Sequence, residues 1–429
     1  MRALSFSFCS LWLWALLPAA SAQAQDLTDL ISLTWAQHPA LRAQLAGTRA
    51  AESEIALARN AFAPTPSVSW EKVQQKAPTD AYYSGDPQVV LWRLNQPVWT
   101  GGRLSASLNK AQAQHQISQL QADETRLQLA LKVVQSWADW YSGSLKQAAL
   151  TQSLHIHQQL KDQIARRVAQ GLSASGEIIL SASRLEQTQS EVLSARMQTQ
   201  MALMRLQELA GQAVQPLPPN RRDALKPTDP EPLWPQALAQ SATLQRLQAQ
   251  QTVLQHEQTI TRASALPEVF VRAERQMGNH ATLHTPTYNR IFVGLSASTG
   301  AGLGVMHQLA AQQERLQALQ AEYESAQRQL REQIQTEWLM YTTSSARREA
   351  LDRNETSNAQ LSASYARQFD AGKKTWIDVM NAARELAQTQ TQHAEALTSE
   401  IASAWRLHLL CLGLGLPDNT STAHQEGTP

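Results

Sequence analysis

Two stretches hold the residues whose types and spacing bear on chemistry. Residues 367–390 carry Phe369, Gly372, Lys373, Lys374, Asp378 and Asn381. Residues 166–189 carry Gly171, Leu172, Ser173 and Glu177. Lys374 and Asp378 are four apart, so a helix starting between them sets a cation beside a carboxylate or lets the carboxylate cap the helix. Glu177 and Asp378 lie on separate stretches and do not read as an acid–base pair. His155 and His157 are two apart, so on a helix they leave by different faces and do not chelate. No nucleophile elbow, phosphate loop or zinc spacing occurs, and no Met-rich stretch points to copper. The chemistry on offer is placed charge, not bond making. The chain reads as no enzyme, with no cofactor and no metal.

The two stretches match each other. Arg166 pairs with Arg367, Gly171 with Gly372, Glu177 with Asp378, and Gln187-Thr188-Gln189 with Gln388-Thr389-Gln390, all at one offset. A second set pairs Leu41, Glu54, Arg59 and Pro64 with Leu244, Glu257, Arg262 and Pro267. The period is too long for a solenoid and means two copies of one large unit.

Each matching stretch sits at the turn of a helical hairpin. Residues 305–371 contain neither Gly nor Pro, enough for a helix on the order of 100 Å long. Residues 103–170 form an equally long run, with Leu120, Leu127, Val134 and Tyr141 at seven-residue spacing, as in coiled-coil packing. Ser142-Gly143-Ser144 is its one weak point and marks a candidate bend. The return helices run over 177–209 and 375–416.

Ahead of each hairpin come a helix and two strands. Residues 26–61 form the first helix, interrupted or restarted at Pro39. Strands are expected over 66–76, 88–99, 267–276 and 288–299, with loops over 77–87 and 276–287. Val68 and Trp70 share one face; so do Val90, Trp92, Leu94 and Val98; so do Val269, Val271 and Ala273; and so do Ile291, Val293, Leu295 and Ala297. Residues 215–235 hold seven prolines and join the halves as a linker. The units are therefore 23–214 and 236–416, with tips near 171 and 372.

Residues 1–22 read as a secretory signal: Arg2, an apolar core over 11–17, and Ala20-Ser21-Ala22 for cleavage. Removing it leaves Cys411 alone among leucines, a packed residue with no disulfide partner. Residues 417–429 read as a short disordered tail. Net charge is +1, with 37 basic and 36 acidic residues mixed along the chain, which points away from nucleic acid.

No stretch after the signal is apolar enough to span a membrane as a helix, so spanning would fall to the strands. Membrane barrels close with about eight strands or more, and one chain supplies four. Several chains would then share one barrel, with the long polar helices projecting into water around a tunnel. The alternative is a soluble sheet capping a coiled coil.

The chain resembles the TolC-like outer-membrane factors over nearly all of its mature length. The resemblance is carried by Trp35-Ala36-Gln37-His38-Pro39-Ala40-Leu41, by the junction from Leu94-Asn95-Gln96-Pro97-Val98-Trp99 into Thr100-Gly101-Gly102-Arg103, and by the two tips. It implies a mainly α fold with membrane β. A homotrimer would form a twelve-strand β-barrel in the outer membrane, embedded in lipid and continued by a periplasmic α-helical barrel. It implies a periplasmic adaptor and an inner-membrane ABC or RND-type transporter as partners. Gly171, Leu172, Ser173, Gly372 and Lys373 would be the adaptor-docking tips. Lys374, Asp378, Asn381 and Phe369 would stand at the gate. Asn381 replaces a frequent Asp, and Phe369 replaces a Tyr that often holds the gate shut. A ring of three Asp378 carboxylates would attract cations and raise one another's pKa.

The tip is most similar to the branch serving type I secretion of large adhesins. The reading is a passive exit duct for such a protein, with a drug or metal efflux pump as the alternative. A third reading, of another class, is a periplasmic coiled-coil structural or adaptor protein without a pore.

Overall fold

In the computed structural model the residues described are 24–73, 85–219, 227, 229–280, 287–297 and 304–415. The expected signal, the tail, most of both loops, part of the linker and the ends of the strands expected to reach 76 and 299 lie outside them.

The first half begins with β1 (Ala24–Gln25) and α1 (Leu27–Gln37), then α2 (Pro39–Asn60). The helix expected over 26–61 is thus two helices. His38 is extended at the break, and its imidazole accepts the Ala40 N–H at 3.2 Å. Pro39 lacks an N–H and so opens the new helix where none is needed. Strands β2 (Thr65–Lys72) and β3 (Gln88–Trp99) follow, then α3 (Arg103–Ala169) and α4 (Ser175–Ala210).

The second half repeats this order. After β4 (Gln215–Pro216) come α5 (Trp234–Gln240), α6 (Ala242–Ala263), β5 (Glu268–Met277), β6 (Tyr288–Ser296), α7 (Gly304–Asp370) and α8 (Trp376–Leu412). The linker is structured at both ends: β4 pairs in parallel with β1, and α5 starts before residue 235. Helices α2 and α6 are each 22 residues long, and α3 and α7 are each 67. At about 1.5 Å per residue the long pair reach roughly 100 Å.

Helix α3 runs unbroken through Ser142-Gly143-Ser144. Gly143 is buried there, and a Cβ would lie 2.6 Å from Thr199 Oγ1 and 3.2 Å from Thr199 Cα on α4. The glycine serves a close helix–helix approach, not a bend.

The strands join into one antiparallel sheet of order β2-β3-β5-β6, so the two pairs meet through β3 and β5. Val68 faces Trp92, Leu94 faces Ala273, Ala273 faces Ile291, and Val271 faces Val293. The expected apolar rows therefore fall on a single face. A register shift between Pro97 and Trp99 sets Trp99 opposite Val269. Among the described residues nothing covers this face: Trp70 is 60% exposed, Ile291 79% and Val293 77%. The opposite face is charged, with Arg93 and Arg272 both paired to Glu274.

The main core lies midway along the hairpins, where Val133, Val134 and Trp137 of α3 pack on Leu30 and Ile31 of α1, Leu206 of α4 and Trp405 of α8. Among the described residues no helix is long and apolar enough to cross a membrane.

Candidate functional site

The two helix tips are built alike. Helix α3 ends with Gly171 N–H on Val168 O at 3.0 Å and Leu172 N–H on Arg167 O at 2.8 Å. Helix α7 ends with Gly372 N–H on Phe369 O at 2.9 Å and Lys373 N–H on Gln368 O at 2.8 Å. Both are Schellman motifs, which need a left-handed residue just past the helix. Gly171 (φ +71°) and Gly372 (φ +74°) supply it. Around either glycine a Cβ would meet no atom within 4 Å. Gly171, Leu172, Gly372 and Lys373 are exposed and Ser173 is half-buried.

The return helices start differently. In α8, Thr375 caps the Asp378 N–H while the Asp378 carboxylate accepts from Thr375 N–H at 3.1 Å and from its hydroxyl at 2.8 Å. These bonds, from the hydroxyl first and the N–H second, hold the Asp378 carboxyl below the usual carboxylate range, with Lys374 adding to them against a small burial penalty. They oppose the upward push expected from a ring of three such carboxylates. In α4, Ala174 offers no side-chain cap, and Glu177 leaves one carboxylate oxygen buried and unpartnered.

The family resemblance implied that Lys374, Asp378, Asn381 and Phe369 stand together at a constriction. Within one chain they divide. Lys374 Nζ lies over the Tyr365 ring, 4.3 Å from its centroid, and Asn381 is exposed on α8. Phe369 is 6% exposed and packs inward with Leu160, Ile164, Trp376, Val379 and Met380. The Arg167 guanidinium covers its ring at 5.4 Å. This apolar cluster fastens the first tip to the second.

A buried polar pair went unread. His157 Nδ1 lies 2.8 Å from Thr188 Oγ1, joining α3 to α4. In the second half Asn358 Nδ2 donates to Thr389 Oγ1 at 2.9 Å, joining α7 to α8. Both pairs span 31 residues. The matching Gln-Thr-Gln triplets held the clue: each threonine hydroxyl sits against the carbonyl four residues back, Arg184 or Glu385, and faces the neighbouring helix.

An exposed apolar sheet face, two free sheet edges and polar helices roughly 100 Å long define a channel-type protein of membrane strands and a helical tunnel. The outer membrane efflux protein model matches residues 30–212 and 233–411. The chain belongs to that family, the TolC-like outer-membrane channels. Solved structures give the same fold. The outer-membrane channel OprN is 17% identical, with 91% of this chain and 90% of that one covered at a TM-score of 0.76. VceC of Vibrio cholerae is 16% identical, with 90% and 96% covered at 0.73. CusC is 14% identical, with 91% and 92% covered at 0.76. No curated protein sequence matches the chain.

Proposed function

We propose that three copies form a passive outer-membrane exit duct of a tripartite export system, gated at the periplasmic tips, whose cargo is a large protein such as an adhesin. One observation carries the assembly. Ala394, Thr398, Ala402 and Trp405 on α8 are buried. Their counterparts in α4, each 201 positions earlier, are Leu193, Met197, Met201 and Met204, and all four are exposed. The same helix face is covered in one repeat and bare in the other. A second copy, presenting its α7 as α3 is presented to α8, covers it. The sheet repeats the logic: β3 joins β5, so β6 of one copy joins β2 of the next. Three copies give twelve strands and close both edges.

Exposed Trp70, Trp92 and Trp99 on the lipid side fit an aromatic girdle. The tip sequence favours protein export through an adaptor and an inner-membrane transporter. The family description, outer membrane efflux protein, favours small-molecule efflux as the second reading. Met201→Glu removes the heat-resistant trimer from outer-membrane fractions if α4 is the interface; an unchanged trimer refutes that interface. A deletion strain separates the cargoes. Loss of one very large surface or secreted protein, restored by complementation, supports export. An unchanged protein profile with new drug or metal sensitivity replaces it with efflux.

A further inference from the structure

The sheet face opposite the apolar rows carries an uneven set of charges. Arg93 of β3 lies opposite Glu274 of β5, and Glu274 lies opposite Arg290 of β6, so the three form one row. Arg272 stands two residues along β5 from Glu274 and so shares its face. Glu274 accepts from Arg93 Nε at 2.8 Å. Arg272 Nε comes within 2.9 Å of the same carboxylate oxygen but is poorly aligned, so its N–H is buried without a hydrogen bond. Among the described residues no carboxylate pairs with Arg290, whose guanidinium lies over the Tyr288 ring at 3.9 Å. Three cations thus surround one carboxylate.

The Arg272 guanidinium lies over the rings of Phe270 and Phe292, 5.4 and 5.1 Å from their centroids. Aromatic faces hold a guanidinium in place without using up its in-plane donors. The other charges on this face of the described strands do not offset the excess. Glu268 is taken by Arg103 at 2.9 Å. Glu71 stands four residues along β2 from Ser67, which faces Arg93. At about 3.3 Å per residue that is roughly 13 Å, beyond the screening length of about 8 Å at physiological salt. Glu71 also has His280 at 3.8 Å.

We propose that Arg93, Arg272 and Arg290 form an oxyanion-binding belt inside the barrel, which holds the phosphate or carboxylate groups of multivalent anions in the membrane part of the duct. The proposal rests on the trimeric duct reading, which turns the apolar face to lipid and this face to the lumen. Three arginines and one glutamate per chain then become nine and three around the ring. Arginine offers a planar fork of donors that meets an oxyanion with two bonds at once. A lumen lined by one sign of charge, with apolar walls behind it, concentrates the opposite ion.

The test uses the full-length trimer purified in detergent, titrated in a calorimeter with inorganic tripolyphosphate at low salt. Tripolyphosphate binds the wild type. Arg290 is exposed and tied only to Tyr288, so its variants keep the sheet. Arg290→Gln weakens binding by at least about tenfold, the worth of one lost charge-assisted contact, and Arg290→Lys loses less. Glu274→Gln removes the carboxylate of the row and tightens binding. A merely structural disturbance weakens both glutamine variants, so opposite signs mark the belt. Citrate is the second probe: binding as tight as that of tripolyphosphate assigns the belt to carboxylates as well, and weaker binding assigns it to phosphates. Lys373 and Lys374 at the tip are the competing cations. Binding lost when both are changed to Gln moves the site to the tip and overturns the proposal. So does an intact trimer that binds no tripolyphosphate, or an Arg290→Gln trimer that binds it like the wild type. Failure of the duct reading has a separate readout, a chain that migrates as a monomer before any titration, and it removes the belt as well.

Discussion

The same substitution, glycine to alanine inside a helix, has opposite effects at Gly143 and Gly47. In an open helix position the change stabilises by about 1 kcal/mol, because glycine loses more backbone freedom. Gly47 of α2 is such a position, with nothing within 4 Å of where an added Cβ would sit. At Gly143 the new Cβ lies 2.6 Å from Thr199 Oγ1, 3.2 Å from Thr199 Cα and 3.3 Å from Thr199 N. Carbon contacts settle near about 3.5–4.0 Å. A hydroxyl can rotate away, but a backbone Cα within a helix cannot. Helix α4 must retreat by several tenths of an ångström, against an overpacking cost of about 1–3 kcal/mol. After the propensity gain, Gly143→Ala is destabilising by up to about 2 kcal/mol. Thermal unfolding in detergent, read by tryptophan emission, gives a lower Tm for Gly143→Ala and a higher one for Gly47→Ala. The shifts are about 1–2 °C per kcal/mol for a chain of this size. Adding Thr199→Ala removes the nearest atom and restores part of the loss. A Gly143→Ala protein at least as stable as Gly47→Ala would refute the close-approach reading and return Gly143 to the role of a bend.

Two further outcomes concern the tips. At Gly372 the obstacle is φ alone, so Gly372→Asn is tolerated while Gly372→Ala costs about 1–2 kcal/mol; amide exchange at Lys373 quickens about 5–30-fold in the alanine variant only. Equal effects would mean that the left-handed turn is not held. Asp378 has a folded pKa below its unfolded value, so its cap contributes fully above about pH 4 and is lost as pH falls through the folded value. Trypsin cleavage after Lys373 and Lys374 at neutral pH is faster in Asp378→Asn and in Thr375→Ala than in the wild type. An unchanged rate would show that the capping box does not hold the tip.

Much of this fold was legible because it is written twice. The match of Gly171 to Gly372, and of Leu41 to Leu244, placed both hairpins and both strand pairs before any contact was known. Period-two alternation at Val68, Trp70, Trp92 and Leu94 assigned the sheet faces correctly, since register follows the pleat. What escaped depends on contacts between distant segments. The junction of β3 with β5 leaves no local mark. Gly143 looks the same as a bend glycine until Thr199 arrives beside it. Phe369 shows no sign in the sequence that its ring turns inward under Arg167.

The differences between the repeats carry more functional information than their likeness. Shared features, such as the Schellman turns and the threonine-centred pairs, are what any such hairpin needs in order to fold. Where the copies diverge, a fold requirement cannot be the reason, because the other copy folds without the feature. Ile164 and Ser173 in the first hairpin become Tyr365 and Lys374 in the second, and together they seat a cation over an aromatic ring. Ala174 becomes Thr375, which adds a capping box at the second tip alone. Asn358 becomes His157 in the reverse direction, so an imidazole holds the threonine in the first hairpin where an amide holds it in the second. The first two departures lie at the start of α8. The start of the second return helix therefore carries two local restraints that the first lacks.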